Sequence, residues 1–461
     1  MINRSFPCNW TVATLGEISS YIQRGKSPKY VESSPLAVIN QKCIRWNQLQ
    51  TEHQKYIHPE QIPTWDANRH IRQGDILWNS TGTGTVGRAY LVKSTDCQPQ
   101  KVVDSHVTIV RSNPEVDSRI IFYWIKGPNV QNRIEELCDG STNQVELSRT
   151  AISEIKIPLP PISEQRRIAD KLDRVLARVD VANEHLSRVA PLIKCFRQSV
   201  LEAAISGRLT EDWRGAHNIG KNWLETSLGA VITEMRNGIS NKPDENPLGY
   251  KILRISAVRP FLLDTSDHRI ISLDKETISL YSLQKGDILF TRYNGSLEFV
   301  GACAVFLEDQ EIFVYPDKLI RVRTDETKAL PQFLALTCSS KPSRKQIEGF
   351  IKSSAGQKGV SGKDLKTVKL ALPSIAEQSE IVRRVEKLFA FADRLEERLS
   401  QAQEAVQKLT PALLAKAFRG ELVPQDPNDE PASELLKRLQ ENRTERAKPS
   451  RARKPRARKS P

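Results

Sequence analysis

Residues 160–213 occur twice in this chain, returning as residues 373–426 at a shift of 213 positions. In the first copy the apolar residues are Ile168, Leu172, Val175, Val179, Ala182, Leu186, Val189, Ile193, Phe196 and Val200. In the second they are Ile381, Val385, Leu388, Ala392, Leu395, Leu399, Ala402, Val406, Leu409 and Leu413, in the same phase. Steps alternating between three and four residues over more than four heptads describe a coiled-coil seam rather than an ordinary surface helix. Each helix is expected to run for roughly 33 residues, or about 50 Å. Gly207 and Gly420 stand where left-handed C-terminal caps belong, and Ser374 with Glu377 has capping-box spacing. Pro191 and Pro411 are expected to kink or interrupt the helices, because proline has no N–H to donate. A lone seam leaves apolar surface in water, so two matching seams predict that the helices pack on each other.

The repeat extends beyond the helices. Trp10 answers Trp223, Gly25 answers Gly238 and Gly87 answers Gly301, and Gly74-Asp75-Ile76-Leu77 returns as Gly286-Asp287-Ile288-Leu289. The shared positions are mostly turn glycines and apolar strand residues, whereas the polar residues between them diverge. Each copy begins with a short amphipathic segment (Leu15–Ile22; Leu228–Met235), read as a helix, and a polar loop. Strand-like runs follow (36–44, 107–111 and 250–258, 318–323), then an aromatic-rich helical stretch (Arg119–Cys138; Pro331–Ile351). The expected fold is α+β: two repeated mixed α/β modules, related by a pseudo-twofold internal repeat, with two long helices packed as an antiparallel coiled coil. The expected division is module one at 1–158, long helix one at 159–213, module two at 214–371, long helix two at 372–426, and a basic disordered tail at 427–461.

Charge singles out the end of the chain. Of a net charge of +14, eight Lys/Arg and no acid fall within residues 446–461, so the first 445 residues carry +6. A segment of Arg, Lys, Pro, Ala and Ser cannot bury a core; it reads as a sequence-blind hook for nucleic acid. Seven cysteines, scattered and never as C-x-x-C, argue against a disulfide framework or zinc finger and predict a cytoplasmic protein. No apolar run approaches the ~18 residues of a membrane span.

Motifs of chemistry fail on context. Gly82-Thr83-Gly84-Thr85-Val86-Gly87 has the G-x-G-x-x-G spacing of a dinucleotide site, but such a site needs a helix N-terminus directly after the glycines. Here Arg88–Val92 reads as a strand, so a glycine-rich hairpin loop is expected. No P-loop, no methyltransferase N/D-P-P-[YF] tetrapeptide, no paired carboxylates and no metal-ligand spacing occur. No catalytic residue and no metal ligand is assigned.

The two helix starts, Leu159–Leu172 and Leu372–Val385, the Gly-x-Leu at each helix exit, the paired Gly-Asp-Ile-Leu strands with a glycine loop after them, and the Gly140–Gln144 loop make one ordered pattern, present twice. In these features the chain resembles the specificity (S) subunit of type I restriction–modification enzymes, over about residues 5–426. The resemblance implies a sequence-specific, non-catalytic DNA-binding subunit with two target-recognition domains, each reading half of a split, asymmetric site. The long helices would set the gap and dock two methyltransferase (M) subunits, to which restriction (R) subunits add, with one S copy per complex. No cofactor belongs to this chain; S-adenosylmethionine, ATP and Mg are implied for the partners. The arginine-rich tail is outside the family pattern.

Reading base edges in double-stranded DNA requires Arg, Lys, amide and hydroxyl side chains on loops that can enter a groove. In module one the candidates are Arg24, Lys26, Ser27, Lys29, Asn40, Gln41, Lys42, Ser80, Thr81, Thr83 and Arg88. In module two they are Asn237, Ser240, Asn241, Lys242, Arg254, Ser256, Arg259, Arg292, Tyr293, Asn294 and Ser296. Asp104 and Asp317, in paired places, are expected to hold a strand turn. Two alternatives stay open: a recognition partner of another restriction–modification type, and a coiled-coil scaffold without DNA specificity.

Overall fold

A computed structural model describes residues 6–82, 84–139, 145–244, 248–354 and 357–447. The chain forms two compact units, Met1–His185 with Ala402–Pro461, and Leu186–Gln401. The division therefore runs through the middle of both long helices rather than at their ends.

In the first unit, strand Thr11–Thr14 pairs antiparallel with Lys156–Leu159, the strand that leads into the first long helix. A single helical turn, Leu15–Ile18, follows, closed by a capping box between Thr14 and Glu17. The chain then becomes strand Ser19–Arg24, so the expected helix Leu15–Ile22 is mostly strand. Leu15 and Ile18 are buried by that one turn, and Ile22 by the strand; apolar spacing alone did not separate the two. Four antiparallel strands make the main sheet, in the order Ser19–Arg24, Val107–Ser112, Ile76–Asn79, Ala89–Leu91. A second sheet has the order Tyr30–Val31, Lys55–Ile57, Ala37–Ile39, Lys101–Val103, its last pair parallel. The aromatic-rich stretch is two helices, Ser118–Lys126 and Pro128–Gln131, broken at Gly127-Pro128.

The second unit repeats the plan. Leu224–Ser227 pairs with Lys369–Leu372, and a 3-10 turn at Leu228–Val231 precedes strand Ile232–Asn237, where a helix was expected. The main antiparallel sheet has the order Ile232–Asn237, Leu319–Thr324, Ile288–Thr291, Cys303–Val305. The second sheet, His268–Ile271, Tyr250–Leu253, Phe313–Val314, again ends in a parallel pair.

The long helices are Ile162–Ile205 and Ile375–Ala417, about ten residues longer than the seam implied. Both run unbroken through Pro191 and Pro411, which lie on exposed faces of the helices rather than in the seam. In the first unit Ile168, Ala169, Leu172 and Leu176 share a core with Leu413, Leu414, Ala417 and Phe418. In the second, Leu186, Val189, Ile193 and Phe196 meet Ala392, Leu395 and Leu399, while Val200 lies in one cluster with Ile381, Val385 and Leu388. The start of each helix lies against the end of the other, which makes the pair antiparallel. The seam shifts at its edge: Leu409 is 44% exposed and Leu414 is buried instead. Where a module also packs on the helix, the apolar stripe must face two partners and widens beyond a 3.5-residue seam.

The segment expected to be a disordered tail from residue 427 carries a helix, Ala432–Ala447. Ala432, Leu435 and Leu439 are buried in the first unit's core, and Arg443 Nη1 donates to the Gly16 carbonyl at 2.9 Å. Three apolar residues at helical spacing sufficed to anchor it, and the charge-rich composition masked them. Residues 448–461, which hold most of the basic run, lie outside the described residues.

Candidate nucleic-acid interface

The shared residues of the repeat build a frame. Asp75 and Asp287 are fully buried carboxylates at equivalent turns. Asp75 accepts the Arg72 amide at 2.8 Å and both arms of Arg111 at 2.6 and 2.7 Å. Asp287 accepts the Gln284 amide at 2.8 Å and Arg323 Nε at 2.9 Å. Gly25 and Gly238 lie so close to a neighbouring turn that a Cβ would sit 2.1 Å from the Val103 carbonyl in one and 2.2 Å from the Pro316 carbonyl in the other. Gly87 and Gly301 have φ of +88° and +70° and face Ile134 and Ile347, leaving no room for a side chain. Ile76–Asn79 and Ala89–Leu91 are antiparallel, so the glycine run between them is a hairpin loop, with no helix after it to receive a pyrophosphate.

A second set of shared residues ties each module to the helices. Glu164, buried at the start of the first helix, accepts Trp10 Nε1 at 2.8 Å and Gln425 Nε2 at 2.6 Å. Its repeat mate Glu377 accepts Trp223 Nε1 at 3.1 Å, Thr210 Oγ1 at 2.8 Å and the Arg214 guanidinium. The Glu377 amide donates to Ser374 Oγ at 3.4 Å, but its carboxylate does not return to the cap, so only half of the expected capping box forms. The neighbouring glutamines close the same junctions: Gln165 accepts the Asp117 amide at 3.0 Å and Gln378 the Leu330 amide at 2.8 Å.

Strand register decides where the variable loops go. Arg24 pairs with Thr108 and Asn79 with Val107, so the ends of strands Ser19–Arg24 and Ile76–Asn79 meet the start of Val107–Ser112. Ala37–Ile39 runs parallel to Lys101–Val103, which brings Asn40–Lys42 to the end that carries turn 104–106. The candidate loops 24–29, 40–42 and 80–88 thus gather at one edge of the first unit. Ser27 Oγ lies 2.7 Å from Ser105 Oγ, Thr81 Oγ1 lies 2.7 Å from His106 Nδ1, and Thr85 donates to Gln41 Oε1 at 3.0 Å. Arg24 contacts the Ser105 carbonyl and pairs with Glu146. Lys26 donates to the Thr64 carbonyl at 3.0 Å, beside the Trp65 ring; Lys29 and Lys42 are exposed, and Arg88 supports its own hairpin through the Gly84 carbonyl at 2.8 Å.

Two candidates point inward. Asn40 donates to the His53 carbonyl at 2.6 Å and accepts the Lys42 amide, and Ser80 is fully buried against Trp78 and Thr108. In this conformation both support the loops and present nothing to a base. Asp104 holds its turn by accepting the His106 amide at 2.9 Å, and burial raises its carboxyl above the usual carboxylate range. Thr83 lies outside the described residues, as does the 140–144 loop.

The second unit assembles the same edge. Asn237 pairs with Ile320 and Thr291 with Leu319, while Tyr250–Leu253 runs parallel to Phe313–Val314 and delivers Arg254 and Ser256 to the same end. Asn237, Ser240, Asn241, Lys242 and Ser296 are exposed. Arg254 and Ser256 share Asp267, Arg259 lies over the Phe299 ring at 4.7 Å, and Arg292 over Tyr293 at 4.7 Å. The Asn294 side-chain Oδ1 accepts the Ser296 amide at 3.0 Å. Sequence reading missed Ser105, His106 and Glu146. No local motif marks them; the register of Val107–Ser112 places two and a bridge between Thr81 and Glu146 the third.

Among the described residues, no group of three His, Cys, Asp or Glu could hold a metal ion, and no helix is long and apolar enough to cross a membrane. The architecture is that of the HsdS proteins. The HsdS subunit from Thermoanaerobacter tengcongensis matches with a TM-score of 0.55 at 18% identity, over 91% of this chain and 99% of that one. A chain from a type I R-M system structure matches with a TM-score of 0.62 at 18% identity, over 91% and 100%. At that identity the likeness establishes the fold. The family follows from sequence: the model of the type I restriction modification DNA specificity domain matches residues 7–189 and again 221–404, and the chain belongs to that family. The specificity subunit of type I restriction enzyme EcoKI from Escherichia coli (strain K12) is 42% identical over 319 residues, 69% of this chain and 68% of that one. The StySPI specificity subunit from Salmonella potsdam is 35% identical over 316 residues, 68% of each. The two modules are therefore DNA specificity domains, and the chain is a type I specificity subunit, non-catalytic by family.

Proposed function

We propose that this chain reads a bipartite, asymmetric DNA site, one half with each module, and docks methyltransferase and restriction subunits that supply the chemistry. One observation carries the reading. In each unit the strand register brings the divergent polar loops to a single edge, while the shared residues only build the frame beneath them. Two modules with one frame and different edges suit two different half-sites. The gap between half-sites would be set by the long helices, and their exposed faces would receive two M subunits. S-adenosylmethionine, ATP and Mg would bind the partners, with one copy of this chain per cytoplasmic complex.

The experiment is to co-express the chain with a type I methyltransferase subunit and map modified adenines in a random DNA library. The expected pattern is two short specific elements that differ from one another, with a fixed unspecific gap. A single contiguous element, or modification without sequence preference, would refute the reading.

A further inference from the structure

The edge of the first unit contains a carboxylate where a DNA-binding surface has least use for one. Glu146 is exposed and pairs with Arg24, among Ser27, Thr81, Ser105 and His106. Phosphates repel a carboxylate, so one in such a place needs either a structural duty or a ligand of its own. The structural duty is absent. The Glu146 backbone is already fixed: its amide donates to the Asp139 carbonyl at 2.9 Å, its carbonyl accepts the Asp139 amide at 2.8 Å, and it bridges to Thr81. Arg24, for its part, is held by the Ser105 carbonyl and a ladder position opposite Thr108. With side-chain exposures of 29% and 48%, an ion pair of this kind adds little stability.

The second module supplies an independent observation. Thr81 opposite Glu146 has its counterpart in Tyr293 opposite Gly359, so the backbone pairing is kept. Both side chains of the ion pair are gone: Asn237 replaces Arg24 and Gly359 replaces Glu146. The retained frame thus carries no ion pair in the second module, where the Tyr293 ring fills the space a Cβ on Gly359 would need, 2.3 Å away, as expected where the frame is common and the target is not.

Resting on the two-half-site reading above, we infer that Glu146 is a specificity-determining residue of the first module. Its carboxylate accepts a hydrogen bond from an exocyclic base amine in the major groove, cytosine N4 or adenine N6, with Arg24 orienting it. A carboxylate discriminates well because it can only accept: guanine and thymine present O6 and O4 acceptors at the corresponding positions and are repelled.

The test uses the full chain with its methyltransferase partner and the same random library. Glu146→Gln keeps the shape and removes the charge. The expected result is a change of about tenfold or more in base preference at one position of the first half-site, with the second half-site unaltered. If the native base there is cytosine, the glutamine variant should move towards adenine, which glutamine can contact at N6 and N7; if it is adenine, the same two contacts should sharpen the preference for it. Unchanged preference overturns the inference, and so does uniformly stronger binding to all sequences, which would mean only that a phosphate passes nearby. Should Glu146→Gln mark nothing, Glu146→Asp decides. Renewed marking with relaxed preference supports base contact, and no recovery means that the pair is structural. Failure of the two-half-site reading is separable, because the wild-type library would then lack a split pattern.

Discussion

Glu164 and Glu377 occupy the same place in the two copies yet should respond very differently to loss of charge. Glu377 is 2% exposed and neutralises Arg214, itself 8% exposed. Glu377→Gln removes the countercharge of that buried guanidinium and leaves it the Thr210 hydroxyl at 3.0 Å, and breaking a buried pair from one side costs about 3–5 kcal/mol. Glu164 is equally buried, but its bonded partners, Trp10 and Gln425, are neutral, and Arg167 is already paired with Asp429 at 2.6 Å. A glutamine there keeps an acceptor for Trp10, can donate to Gln425 once that side-chain amide flips to present its oxygen, and removes a charge that burial disfavours. Its expected cost is at most about 1 kcal/mol.

The pH dependence follows with a definite sign. Burial raises the Glu164 carboxyl above its ordinary value, against the pull of Trp10, Gln425 and Arg167. The folded state therefore holds that proton more tightly than the unfolded chain, and wild-type stability falls as pH rises from the ordinary glutamate range, about 4.3, through the raised value. The Glu164→Gln variant escapes that loss, so its stability relative to wild type should improve from acid to neutral pH. The assay is urea unfolding combined with hydrogen exchange, which reports the two units separately where a single transition would not. Equal destabilisation by the two substitutions, or a Glu164→Gln penalty that grows towards neutral pH, would refute the argument.

Three further outcomes are expected. Leu414→Ala should cost about 2–5 kcal/mol by opening a cavity, whereas Leu409→Ala, at a 44% exposed position, should stay within about 0.5 kcal/mol in the same unfolding assay. Gly25→Ala should disrupt the loop edge of the first unit, because its Cβ would lie 2.1 Å from a carbonyl oxygen; Gly84→Ala, with φ +78° and open space, should cost only about 1–2 kcal/mol, and, on the proposed reading, library mapping would show loss of the first half-site in the former alone. Deleting 446–461 should flatten the salt dependence of DNA binding by up to about 0.9 in log–log slope per lost phosphate contact, leaving sequence preference intact.

The spacing of Ile168 to Val200 and of Ile381 to Leu413 was enough to require two helices and to pair them, because a 3.5-residue seam has few other ways to leave water. The 213-residue shift between Trp10 and Trp223, or Gly25 and Gly238, was enough to require two modules of one fold. Local pattern could not separate a single helical turn from a strand at Leu15–Ile22, since four residues bury the same face in either form. Nor could it find helix Ala432–Ala447, whose three buried residues are outnumbered by charges. The edge proposed to read DNA was legible as composition but not as a place: Arg24, Lys26 and Thr81 are strand-end and loop residues of the right chemistry, as are Asn40 and Ser80, which turn inward. Only register separates them. Strand Val107–Ser112 lies between Ser19–Arg24 and Ile76–Asn79, and that adjacency, set by long-range hydrogen bonding, brings Ser105, His106 and Glu146 to residues some 25 to 120 positions away in sequence.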